Sequence, residues 1–166
     1  MNELESVGLP IALLAAASGA RMMTGIAAVA RVRANEASAA AAAARGPGPR
    51  IARKFDRIIA DSTAAMAVFE LMADKSPRIP DRTAPASLLG RVAAGAVIGS
   101  SVARMSNVER RGPAIAGALV AFASAHLTFR LRAALSEQMP GFAAGLIEDV
   151  LILGIAAAGM AAADRR

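Results

Sequence analysis

The segment from Gly141 to Ala163 is long and apolar enough to cross a bilayer core about 30 Å thick, yet it contains two adjacent carboxylates, Glu148 and Asp149. Charged side chains are costly in lipid, so those that occur there face a bundle interior or a water-lined cavity. The anomaly recurs: Arg21 interrupts the apolar run Pro10 to Ala30, and Arg91 and Arg130 lie within two further apolar stretches. A soluble amphipathic helix would carry a charged face opposite its apolar one. Pro113 to Thr128 and Val150 to Ala163 carry no formal charge on any side. The pattern predicts an all-α, polytopic transmembrane bundle of four to five helices, forming one integral membrane domain over residues 1–166.

The expected helices run over about 7–32, 51–74, 84–105, 112–135 and 141–163. Gly46-Pro47-Gly48-Pro49 is a hard break between the first two. The second is ambiguous, because its apolar run from Ile58 to Ala73 is short and includes Asp61 and Glu70. It is short enough to re-enter or to lie at the interface rather than span. Thr83 is placed to cap the third helix, with Pro85 in its first turn. The leading segment carries Glu3 and Glu5 where a signal peptide would carry Lys or Arg, so the first span is read as retained.

A net charge of +6 raises the question of nucleic acid. The basic residues bracket the apolar spans instead of forming one stripe, and no aromatics interleave them for base stacking, so no nucleic-acid partner is expected. Trp and Tyr are absent, which removes the usual interfacial aromatic belt. If all five helices span, one side collects Arg31, Arg33, Arg45, Arg50, the cluster from Arg53 to Arg57, Arg104, Arg110, Arg111 and the final two arginines. The positive-inside rule then puts the N-terminus outside and the C-terminus in the cytoplasm. A non-spanning second segment would move the C-terminus outside.

Helical spacing aims the internal charges inward. Gly145, Glu148, Ile152, Ala156, Gly159 and Ala163 follow one another at steps of three and four; Ala94, Gly95 and Ile98 lie near the face of Arg91; Ala17, Ser18, Gly25 and Ala28 share a face with Arg21. Small residues are what membrane helices place at close contacts, as in the Gly95–Gly99 and Gly141–Gly145 spacings. Arg21 lies about halfway through the first span and needs a carboxylate partner, with Glu148, Asp149 and Asp61 as candidates. Two neighbouring buried carboxylates repel unless a cation or a proton neutralises one of them. His126 and Arg130, four apart, share a face and could extend the network. Such a set either binds an anion, a proton or a lipid headgroup, or only locks helix register.

No nucleophile elbow, zincin motif, phosphate-binding loop or paired Asp-rich motif occurs, so the chain gives no positive case for an enzyme. Without cysteine and with a single histidine, a transition-metal site is not expected, and no cofactor is implied. Exposed small-residue stripes on a thin bundle point to homo-oligomerisation within the lipid bilayer.

The order of motifs resembles a known group. A helix with Ser18-Gly19-Ala20-Arg21, a loop with Pro80-Asp81-Arg82, a helix with Gly90-Arg91 and Gly95, and a last helix entered through Glu148-Asp149 resemble the bacterial integral membrane family called domain of unknown function 4126. The resemblance implies a small multi-pass protein of the bacterial inner membrane, emphasises Arg21, Asp81, Arg91, Glu148 and Asp149, and implies no substrate. The combined expectation is a transporter, permease or lipid-handling component with a charge-lined interior, or else a structural membrane protein.

Overall fold

The computed structural model describes residues 3–43, 48–73 and 84–165, and among them the chain is all-helical. Six helices follow one another: α1 (Glu3–Ala20), α2 (Met22–Ala43), α3 (Gly48–Ala73), α4 (Pro85–Met105), α5 (Arg111–Gln138) and α6 (Gly141–Ala163). Three of them, α4, α5 and α6, are long and apolar enough to cross a membrane. That composition points to a membrane protein. Large apolar side chains such as Phe122, Phe142, Val150 and Leu153 stand outward from these helices. In water they would form costly patches, whereas in lipid they meet their own kind.

The expectation of four to five helices is corrected in one place. The supposed first span, residues 7–32, is two helices that meet at Arg21 and fold back on each other. A Cβ added at Gly25 would lie 2.5 Å from the carbonyl oxygen of Leu14 and 2.6 Å from the Cβ of Ser18. In one straight helix Leu14 and Gly25 would stand about 16 Å apart along the axis. The ambiguous second segment is α3, a long amphipathic helix that is not among the helices apolar enough to span. Ile51, Phe55, Ile58, Phe69 and Met72 form its exposed apolar stripe, while Ala60 and Ala67 turn inward.

The pairings set an up-and-down order. α2 and α3 run antiparallel, as the ion pairs Arg31–Asp61 and Arg33–Asp56 show. α4 and α5 run antiparallel through a seam in which Gly95 meets Gly117 and Gly99 meets Pro113, backbone against backbone. A side chain at either glycine of α4 would push the helices apart. The start of α1 and the end of α6 therefore lie at the same end of the bundle, unlike the opposite-side termini expected for five spans.

The core sits around α1, which is enclosed by α2, α4, α5 and α6. Its Leu14 is fully buried and packs with Ile98 of α4 and Ile152 and Ala156 of α6. The inward stripes expected on α4 and α6 are the buried faces: Arg91, Ala94, Gly95 and Ile98 on one, and Gly145, Glu148, Ile152, Ala156, Gly159 and Ala163 on the other. Gly159 admits Leu14 so closely that an added Cβ would come within 2.8 Å of it.

Candidate functional site: a helix break held by charges

The α1–α2 break leaves backbone groups without helical partners, and side chains from remote helices take them up. In a continuous helix the amides of Met22 and Met23 would donate to the carbonyls of Ser18 and Gly19. Here Glu70 of α3 accepts both, at 2.9 Å from Met22 N to Oε1 and 2.8 Å from Met23 N to Oε2. On the other side of the break, one nitrogen of the Arg91 guanidinium donates to the carbonyls of Gly19 at 2.9 Å and Ala20 at 2.5 Å. A carboxylate thus meets the N-terminal end of α2 and a guanidinium the C-terminal end of α1, the arrangement the helix dipoles favour. The two caps also pair with each other, Arg91 to Glu70 at 3.8 Å.

Arg21, the single residue between the two helices, is 2% exposed and its guanidinium forms an ion pair with Asp149. Glu148, 1% exposed, takes an ion pair from Arg132 of α5 at 3.4 Å. The adjacent carboxylates on α6 are each matched by a different arginine, which removes the repulsion between them. Ser18 donates to the carbonyl of Met22 at 2.9 Å and so ties the end of α1 across the break. Ser124 of α5 donates to the carbonyl of Ala16 at 2.7 Å and fixes α1 against the bundle.

Two apolar grooves approach the break. One, of about 350 Å³, lies between α2, α3 and α6, with Thr24, Ala67, Leu153 and Ala156 in its walls and Arg31 at one end. The other, of about 460 Å³, is lined by Met22, Met23, Met66, Phe69 and Glu70, so the carboxylate that caps α2 also forms part of a groove wall. Thr24 is 6% exposed, and among the described residues its hydroxyl has no hydrogen-bond partner. A threonine in a helix normally donates back to the carbonyl four residues earlier. For Thr24 that carbonyl is Ala20, which Arg91 occupies.

The structure gathers four of the expected residues, Arg21, Arg91, Glu148 and Asp149, around one centre. Asp61 is not among them; it is exposed and pairs with Arg31 at 2.9 Å, toward the other end of α2. His126 and Arg130 also stand apart. The His126 ring packs on Phe122 with centroids 4.5 Å apart, and its Nδ1 lies 3.0 Å from the Phe122 carbonyl, while Arg130 is exposed. Their shared face of α5 points away from the break, because the face that packs inward carries Gly117, Ala121, Ala125 and Thr128. Asp81 and Thr83 lie outside the described residues. Glu70 and Arg132 were not expected in the network. Glu70 stands out in the sequence as a carboxylate inside an apolar run, but only the fold brings it to Met22.

The chain matches no family model, and no curated protein or solved structure matches it.

Proposed function

We propose that this chain is a small carrier of the transporter or permease kind in a bacterial inner membrane, handling an anionic solute or a lipid headgroup. One observation carries the reading: the innermost helix is broken at Arg21, and both broken ends are held by charged side chains from other helices. Discontinuous helices whose ends meet charge are the recurring binding element of secondary transporters. Irregular backbone at membrane depth is tolerated only where protein or a polar cavity satisfies it.

In this mechanism an incoming anion competes with Asp149 for Arg21, or with Glu70 for Arg91, and a proton taken by the displaced carboxylate keeps the interior neutral. A lipid headgroup would reach the break beside Glu70, where the groove lined by Met22, Met23, Met66 and Phe69 meets that carboxylate. By the positive-inside rule, the arginines at the end where α4 finishes and α5 begins favour a cytoplasmic side for the start of α1 and the end of α6. The Gly95–Gly99 seam is spent within the chain, so the proposed homo-oligomer uses the outward faces of α3, α5 and α6.

A second reading has its own support. Arg21, Arg91, Glu148 and Asp149 all have ionic partners, as a purely structural lock requires. Charge exchange separates the two. Proteoliposomes loaded with a pH-sensitive dye are tested with a panel of labelled organic and phosphorylated anions, using Arg21→Ala and the pair Arg21→Asp with Asp149→Arg. The carrier reading expects flux of at least one anion, lost in both variants although the exchanged pair inserts and refolds. Flux restored by the exchange, or no flux from any anion, favours the structural lock.

A further inference from the structure

The end of the bundle opposite the helix break holds a cavity of about 430 Å³, within the size range of small-molecule sites. Arg33 of α2, Arg104 of α4 and Arg110 from the α4–α5 connection line it, with the hydroxyl-bearing Ser100 and Ser101 between them. Two carboxylates, Glu36 and Asp56, complete the polar wall, leaving one cation in excess. Asp56 accepts an ion pair from Arg33 at 3.2 Å, which fixes that guanidinium and uses that carboxylate. Among the described residues Arg104 and Arg110 make no ion pair.

The turn that carries these two arginines is built, not slack. α4 ends in a closure where Asn107 takes a left-handed backbone with φ of 55°. The Asn107 amide donates to the Arg104 carbonyl at 3.3 Å and the Val108 amide to the Ala103 carbonyl at 2.9 Å, the double bond of a Schellman motif. Gly99 lets the end of α4 press against the backbone of Pro113 at the start of α5. Arg104 and Arg110 thus flank a fixed turn.

We propose that this cavity binds a phosphate group, held between the guanidinium groups of Arg104 and Arg110 with Ser101 donating a further hydrogen bond. Phosphate oxygens match the planar fork of a guanidinium, and each such bond is charge-assisted. Asp56 and Arg33 form the side wall that limits the site to one such group. The phosphate comes either from a phosphorylated solute in the aqueous phase or from the headgroup of an anionic phospholipid. The site is independent of the helix break and of the transport reading.

The test uses the full chain purified in a detergent with a neutral headgroup, followed by its melting temperature. Inorganic phosphate is titrated against chloride at equal ionic strength, and in parallel the protein is placed in vesicles of phosphatidylcholine alone or with phosphatidylglycerol. Arg104→Gln with Arg110→Gln, and each single variant in case the double one does not fold, are compared with Lys54→Gln plus Arg57→Gln, which remove the same charge from exposed positions on α3. The expected result is stabilisation by phosphate or by phosphatidylglycerol, weakened about tenfold or more in the cavity variants and kept in the α3 control. Stabilisation by free phosphate identifies a soluble ligand; stabilisation by phosphatidylglycerol alone identifies a lipid. No stabilisation by either, or an equal loss in the α3 control, overturns the proposal.

Discussion

The two ends of this bundle hold their charges differently. At the helix break Arg21, Arg91, Glu148 and Asp149 are buried and ion-paired, whereas at the opposite end Arg104 and Arg110 are exposed beside a cavity with no ionic partner among the described residues. The contrast follows from solvation. A buried charge must be paired or hydrogen-bonded, while a charge at the water boundary keeps its hydration and needs no partner. The break therefore behaves as a rigid, high-stakes network, and the other end as an adaptable surface for a ligand.

The largest expected effect breaks the comparison at its buried end. Asp149→Ala removes the carboxylate paired with the buried Arg21 guanidinium, which should cost about 3–5 kcal/mol, read as a lowered midpoint of denaturant unfolding in micelles. A loss below about 1 kcal/mol would show that water reaches Arg21 and that the two ends do not differ. Next comes Arg91→Met, which leaves the Gly19 and Ala20 carbonyls and Glu70 without their cation. The expected cost is about 2–4 kcal/mol, together with faster hydrogen exchange at the Met22 and Met23 amides. Unchanged exchange at those two amides would mean that Glu70 holds the break alone.

Smaller effects sharpen the same picture. Gly25→Ala forces a Cβ to within 2.5 Å of the Leu14 carbonyl oxygen and should cost about 1–3 kcal/mol by prising α2 from α1. Thr24→Val removes the hydroxyl that Arg91 deprives of its usual acceptor and should raise stability by up to about 1 kcal/mol in the absence of ligand. Destabilisation by this change would reveal a bound water or ligand on the hydroxyl. At the open end, Arg104→Gln alone should shift stability by no more than about 0.5 kcal/mol when no phosphate is present.

How much of this was legible depended on whether the information was local. The inward stripes of α4 and α6 follow from residues three and four apart, and the structure buries those stripes. The break at Arg21 has no such mark. Residues 18–25 contain no proline, and their spacing reads as one helix continuing to Val32. The chain turns there because Glu70 and Arg91, far away in sequence, supply the hydrogen bonds that a continuous helix would have made for itself. For the same reason Asp61 was a plausible partner for Arg21, yet the antiparallel register of α2 and α3 delivers it to Arg31 and brings Glu70 to the break.

The sequence by itself determined that the chain is helical, that its last three helices are apolar enough for lipid, and that Arg91, Glu148 and Asp149 face inward. These properties reside in composition and in the helical period, which need no knowledge of the neighbours. Only the tertiary structure decided where the first helix breaks, which acid meets which arginine, and that the two ends of the bundle differ. Those outcomes depend on hydrogen bonds and ion pairs between residues distant along the chain, and such pairings are set by packing geometry, not by the local order of residues.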